Sequence, residues 1–187
     1  MDKLIIGIGG AGTNIVEFVR DTFDDEQSLL LITSDKNKFK KRKLKNRIFV
    51  GNKDKSKLLN EDAILCNLQQ SLPMIESKIK NVDNLILVSG FGGITGKKVT
   101  FELLDLALKF KVKTKVIVVI PYKFESDRRK LALQSLELMP DESEYFELIV
   151  FDNEMLLNTG KTLSLNDAFN LASIQISKQI RDVFFAG

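Results

Sequence analysis

Two glycine-rich stretches, each directly after an apolar run, constrain this chain more than any other feature. Gly7-Ile8-Gly9-Gly10-Ala11-Gly12-Thr13-Asn14 follows Leu4-Ile5-Ile6, and Gly90-Phe91-Gly92-Gly93-Ile94-Thr95-Gly96 follows Leu85-Ile86-Leu87-Val88-Ser89. Glycine at a strand-to-helix junction lets the backbone come close to a ligand, and the N–H groups of the opening helical turn attract phosphate. A single loop of this kind is compatible with a tight turn. Two in one small chain point to a nucleotide whose phosphates are held from both sides.

Around these loops, short β-rich apolar runs alternate with helical patterns, the mark of a parallel sheet covered by helices. Strands are predicted near 3–8, 29–33, 47–50, 84–89, 115–120 and 147–151. Helices are predicted near 12–22, 57–80, 97–110, 127–138 and 165–185. Val116-Ile117-Val118-Val119-Ile120 is apolar on both faces, as a central parallel strand must be, and Pro121 ends it. Phe101, Leu104 and Leu108, with Leu103 and Leu106, recur at helical spacing. In the last helix Leu171, Ile174, Ile176, Ile180 and Val183 do the same. The expected fold is α/β, a three-layer Rossmann-like parallel sheet with helices on both faces, in a single domain over 1–187. Ligands in such sheets sit at the carboxyl ends of the strands. Both glycine loops, Thr33-Ser34-Asp35, and Pro121 to Arg129 all fall at such ends.

Composition narrows the chemistry. The 187 residues contain no histidine and one cysteine, Cys66. Ser-His-Asp and Cys-His catalysis and histidine-based zinc sites are therefore excluded, and no disulfide framework is possible. Met1-Asp2-Lys3 leads straight into an apolar strand, unlike a signal peptide, and no apolar run nears the roughly 20 residues that span a bilayer. A cytoplasmic protein without a transmembrane segment is expected. Between Lys36 and Lys57 stand 11 Lys/Arg and one acid, Asp54, whereas the remainder holds 17 bases and 24 acids. The basic run is either a solvated loop or exposed helix, or a surface for an acidic protein, an anionic membrane or nucleic acid. Nucleic acid is disfavoured, because Phe39 alone interrupts the charges where stacking platforms interleave aromatics.

Gly7-x-Gly9-x-x-Gly12 also fits a dinucleotide fingerprint, with Asp35 as the ribose-binding acid and NAD as the cofactor. That reading leaves the second glycine loop unexplained. A phosphate-loop NTPase fails on spacing: Phe91 precedes Gly96-Lys97 where glycine is needed, and Lys98 replaces the magnesium-holding hydroxyl. Taken in order, the loops resemble the FtsZ/tubulin superfamily, FtsZ more than tubulin. Gly9-Gly10-Ala11-Gly12-Thr13-Asn14 is similar to its first phosphate loop, and Thr33-Ser34-Asp35 to its Asn-Thr-Asp. Gly92-Gly93-Ile94-Thr95-Gly96-Lys97-Lys98 lies over the signature Gly-Gly-Gly-Thr-Gly-Thr/Ser-Gly. Pro121-Tyr122-Lys123-Phe124-Glu125-Ser126-Asp127-Arg128-Arg129 resembles Pro-Phe-x-Phe-Glu-Gly-x-x-Arg, and Leu163-Ser164-Leu165-Asn166-Asp167-Ala168-Phe169 the start of the central helix.

The resemblance implies GTP or GDP, with Mg²⁺ as an accompanying ion. It implies nucleotide contacts from Gly9, Gly10, Ala11, Gly12, Asn14, Asp35, Gly92, Gly93, Thr95, Gly96, Lys97, Glu125, Arg129, Phe169 and Ser173. Glu125 and Arg129 would meet the ribose and phosphate side, and Phe169 would pack on guanine. Each has a plain structural alternative: a tight turn for the glycines, a helix cap for Asn14, an i,i+4 ion pair for Glu125 and Arg129, core packing for Phe169.

Four departures bear on function. Ile94 replaces a glycine and does not take φ > 0 cheaply, so the loop must differ or be strained there. Lys97 either places a charge on a phosphate or is solvated at the helix start. Gly51-Asn52-Lys53-Asp54-Lys55-Ser56-Lys57 stands where a third glycine loop is expected. The Asn-Asp pair that reads guanine falls on Ser173-Ile174, which puts base specificity in question. The sequence ends at Gly187 as the last helix finishes, so the acidic loop and the second, C-terminal activation domain that follow it in the family are expected to be absent here. The resemblance thus implies a guanine-nucleotide-binding protein that acts by self-association or by binding an FtsZ-like or acidic partner, with weak or absent hydrolysis. The alternative is a nucleotide-free interaction scaffold. The aromatic pair Phe184-Phe185 suggests a contact surface.

Overall fold

The computed structural model describes residues 2–20, 26–52, 59–155 and 165–185. Its strands are β1 (Lys3–Ile8), β2 (Leu29–Thr33), β3 (Arg47–Phe49), β4 (Asn84–Gly90), β5 (Lys113–Ile120) and β6 (Phe146–Asp152). Its helices are α1 (Gly9–Arg20), α2 (Lys36–Lys41), α3 (Glu61–Gln69), α4 (Leu72–Lys80), α5 (Ile94–Lys109), α6 (Ser126–Leu136) and α7 (Leu165–Phe185). All strand pairs are parallel, in the order β3-β2-β1-β4-β5-β6. β1 and β2 are buried along almost their whole length, whereas the edge strand β6 is half-exposed.

Alternation along the strands divides the core into two layers. Ile5, Leu29, Leu31, Ile86, Val88, Ile117 and Val119 pack with Ile15, Val16 and Val19 of α1 and Ile176 and Ile180 of α7. On the other face Leu4, Ile6, Ile8, Leu30, Leu85, Leu87, Val116 and Val118 pack with residues of α3, α4, α5 and α6. Leu103 and Leu104 of α5 are buried, and Phe101, Leu106 and Leu108 flank them. The three-layer expectation holds. In α7, Ile174 points outward instead (37% exposed). The side chains of Val183, Phe184 and Phe185, and residues 163–164 at the expected helix start, lie outside the described residues.

Three local departures have physical causes. The helix expected over 57–80 is two helices, because Pro73 in the first turn of α4 lacks an N–H and its ring would collide with the carbonyl of residue 69. The front of the basic segment forms α2, capped by Asp35, whose Oδ1 accepts the N–H groups of Asn37 (2.9 Å) and Lys38 (3.0 Å). At Ile94 the loop differs from the glycine pattern without strain. Gly93 is extended (φ −145°, ψ 152°), Ile94 opens α5, and Lys111 is the one non-glycine residue at positive φ among those described.

Candidate functional site

The order β3-β2-β1-β4-β5-β6 reverses direction between β1 and β4. The helices that follow these two neighbours leave on opposite faces, so a crevice opens beyond their carboxyl ends. Both glycine loops stand there, and close packing explains some of their glycines. A Cβ on Gly12 would lie 2.0 Å from the Val88 carbonyl oxygen, and one on Gly96 would lie 2.1 Å from that of Gly90. These two residues seat α1 and α5 on the sheet. Gly9 adopts φ +70° to turn from β1 into α1. Gly93 and Gly10 differ. A Cβ on Gly93 would meet nothing within 4 Å, and one on Gly10 only the mobile ammonium end of Lys38, at 3.0 Å. No backbone packing requires their bareness.

The crevice holds a cavity of about 230 Å³. Gly9, Gly10 and Ala11 form one wall, and Gly90, Gly92, Gly93, Thr95 and Gly96 face them. Thr33, Ser34, Asp35 and Lys38 close the β2 side; Val119, Pro121, Glu125, Arg128, Asn153 and Phe169 close the other. Ser34 and Thr95 join two of these loops through a 2.7 Å hydroxyl–hydroxyl hydrogen bond. Neither α1 nor α5 has an acid in its first turn, whereas α3 carries Glu61 and Asp62 there and α6 carries Asp127. An acid in that position offsets the partial positive charge of a helix N-terminus. At the cavity two such ends are left uncompensated and side by side, an arrangement suited to an anion.

The opposite wall is organised by ion pairs. Glu125 accepts hydrogen bonds from Arg128 Nη1 (2.7 Å) and the Tyr122 N–H (3.3 Å), and Arg128 Nε donates to the Gly92 carbonyl (3.1 Å). Arg129 makes a two-pronged bond to Asp152 (2.8 and 2.7 Å) and donates to the Pro121 carbonyl. Those bonds hold the Asp152 carboxyl below the usual carboxylate range and raise the Arg129 pKa. Tyr122 is buried, stacks on Phe124 at 5.0 Å and meets the Phe169 ring edge-on at 5.4 Å. Burial raises the pKa of its hydroxyl, which has no hydrogen-bond partner among the described residues. Asn153 Oδ1, buried at the cavity wall, has none either.

Comparison with known proteins agrees with this geometry. The model of the Tubulin/FtsZ family, GTPase domain, matches residues 3–161. The chain belongs to the tubulin/FtsZ family. Among curated relatives of that family, the cell division protein FtsZ of Aquifex aeolicus is 24% identical, covering 96% of this chain and 50% of the relative. FtsZ of Buchnera aphidicola subsp. Baizongia pistaciae is 27% identical over 90% of this chain and 45% of its own length. Among solved structures, an empty FtsZ dimer of M. jannaschii superposes with a TM-score of 0.81 at 22% identity, covering 98% of this chain and 54% of the other. The chain thus spans about half the length of the relatives it matches.

Within this family member, the residues singled out from sequence fall into two groups. Gly9, Gly10, Ala11, Asp35, Gly92, Gly93, Thr95, Gly96, Glu125 and Phe169 line one cavity. Gly12 lies behind it, under α1. Asn14 accepts a hydrogen bond from Arg42 in an adjoining groove. Lys97 turns toward Glu61 (3.6 Å), Arg129 is held by Asp152, and Ser173 donates to the Phe169 carbonyl (3.0 Å). Glu125 and Arg129 do not pair with each other, since each has its own partner. Gly51 is set by packing, for its Cβ would lie 2.2 Å from the Ser34 carbonyl oxygen; residues 53–57 of that loop lie outside the described residues. Among the described residues no helix is long and apolar enough to cross a membrane.

Sequence reasoning passed over Lys38, Arg128 and Asn153 as site residues. Lys38 stands three residues beyond the capping Asp35, a spacing that turns it back over the β2 end. Arg128 was overshadowed by the adjacent motif arginine. Asn153 follows a strand end, which was the available signal.

Proposed function

We propose that this chain is a guanine-nucleotide-binding domain that holds GDP or GTP in the cavity between β1 and β4 and acts through assembly or partner binding. The observation that carries this reading is the pair of glycines Gly10 and Gly93, which no backbone packs against on the cavity side, beside two helix N-termini with no acid in their first turns. The family's GTPase domain and the dimeric state of the M. jannaschii FtsZ support it.

The backbone N–H groups of Gly10, Ala11, Thr95 and Gly96 bind and orient the phosphates, and Lys38 adds a mobile positive charge. Arg128 and Glu125 face the sugar. Phe169, 37% exposed and braced edge-on by Tyr122, offers a ring face to the base. Asn153 Oδ1 gains a partner from a ligand hydroxyl. Among the described residues the one carboxylate in the phosphate half of the cavity is Asp35, and its Oδ1 is spent on capping α2. Mg²⁺ would find Asp35 Oδ2 and the Ser34 and Thr95 hydroxyls as the protein groups at hand. When bound it neutralises phosphate charge. Weak hydrolysis fits this lining: among the described residues its carboxylates are Asp35, fixed at the start of α2 by its cap, and Glu125, held by Arg128 and the Tyr122 N–H, so neither is placed as a mobile general base.

Calorimetric titration of the protein with GDP and GTP tests the reading. Binding in the micromolar range is expected. An absence of heat and of thermal stabilisation at millimolar nucleotide overturns it in favour of the scaffold reading, for which the self-satisfied pairs Glu125–Arg128 and Arg129–Asp152 speak.

A further inference from the structure

The two α7 positions expected to read the base offer it no carboxylate or amide: Ser173 is turned back on its own helix and Ile174 is apolar. A second hollow, about 330 Å³, lies along α1. Asn14 lies one turn beyond Ala11 of the cavity wall, Asn170 follows Phe169, and both line this groove. A base packed on Phe169 would thus lie beside this groove. Four charged side chains line it, Glu17, Arg20, Arg42 and Lys43, of which Arg20 pairs with Glu26 (4.0 Å). Arg42, half-buried, donates from Nη2 to Thr13 Oγ1 (2.9 Å) and to Asn14 Oδ1, and its buried Nε has no partner among the described residues. Glu17 is fixed by the N–H groups of Leu44 (3.1 Å) and Lys43 (3.4 Å).

Resting on the nucleotide reading above, we propose that Glu17 and Arg42 read the purine edge, and that Glu17 is the carboxylate that selects guanine. Guanine presents a carbonyl acceptor, O6, beside two donors, N1–H and the 2-amino group. Arg42 supplies donors for O6. Asn14, whose Oδ1 is taken by Arg42, is left to act as a donor as well. A carboxylate has about four acceptor positions, and the backbone occupies two on Glu17, which leaves two for N1–H and the 2-amino group. Adenine reverses this pattern, setting a donor against Arg42 and an unprotonated nitrogen against Glu17. The selecting carboxylate thus stands on α1, one turn past the phosphate loop, and Asn170 is the α7 side chain that shares the groove.

Calorimetry with guanosine, inosine and xanthosine diphosphates on the full chain tests the assignment. Inosine lacks the 2-amino group, and xanthine carries a carbonyl in its place. The unmodified protein should bind inosine diphosphate about tenfold or more weakly than GDP, because the carboxylate loses a donor. Glu17→Gln should weaken GDP by a similar factor and strengthen xanthosine diphosphate, reversing the preference, a gain that a misfolded variant cannot produce. Arg42→Met should weaken GDP and inosine diphosphate alike and leave their ratio unchanged. Equal binding of GDP and inosine diphosphate by the unmodified protein, an unaltered GDP-to-xanthosine ratio in Glu17→Gln, or undiminished GDP binding by Arg42→Met overturns this assignment while the nucleotide site stands. Failure of all three diphosphates to bind the unmodified protein overturns the nucleotide reading and this one with it.

Discussion

Gly12 and Gly93 belong to loops of the same appearance, yet they answer to different physics. At Gly12 a methyl group would be driven to 2.0 Å from a backbone oxygen of β4, and neither α1 nor the sheet has room to yield. At Gly93 the same methyl group enters open space at an ordinary extended conformation. Gly12→Ala should therefore destabilise the fold by about 3 kcal/mol or more, as overpacking against backbone does. Gly93→Ala should change stability by less than about 1 kcal/mol, mostly through the poorer helix cap, while GDP affinity falls at least severalfold. Urea unfolding and calorimetry on the two variants separate the roles. If Gly93→Ala binds GDP as well as the unmodified chain, phosphate does not approach that backbone. A glycine motif marks where the backbone must be bare. Whether another strand or a ligand needs the space depends on the β1–β4 register, which residue spacing does not contain.

Helices and strands were mostly legible, because buried parallel strands such as β1, β2 and β5 are continuous apolar runs. What escaped depended on partners distant along the chain. The Pro-x-x-Phe-Glu-x-x-x-Arg loop reads as one local unit, and Glu125 and Arg129 sit at the spacing of a helical ion pair. The structure instead sends Arg129 across to Asp152 and so ties the start of α6 to the end of β6. That tie gives the edge strand a pH dependence. The Asp152 carboxyl, held below its ordinary value by Arg129, contributes stability in full above the unfolded aspartate value of about 3.9. The contribution fades as pH falls through the lower folded value. Asp152→Asn should thus cost about 1 kcal/mol or less at pH 7, and the difference should shrink below about pH 4. Unfolding midpoints at pH 7, 5, 4 and 3 measure it. A difference that persists unchanged at pH 3 would mean that Asp152 acts through its shape and not its charge.

Over the whole molecule, charge is arranged across the sheet. Residues 36–47, at the β3 edge, carry eight bases and no acid, and residues 137–147, at the β6 edge, carry five acids and no base. From sequence the basic run has no visible tie to the glycine loops. In the fold α2 returns over the β2 end, and Lys38 comes within 3.0 Å of the place a Gly10 side chain would take. Lys38 thereby brings the front of the basic segment to the rim of the candidate nucleotide site. A cluster of one sign at a cleft mouth raises the encounter rate of an oppositely charged ligand, and salt screens the effect as the Debye length falls from about 10 Å at 0.1 M to 3 Å at 1 M. Stopped-flow association of a fluorescent GDP should therefore slow severalfold between about 0.05 and 0.5 M NaCl, with dissociation much less affected. Lys40 and Lys41 belong to the basic edge but not to the cavity wall. Replacing both by Gln should reproduce part of the slowing at low salt and add nothing at high salt. Should the association rate ignore both salt and these substitutions, the basic edge does no steering, and its charge must answer to a partner other than the nucleotide.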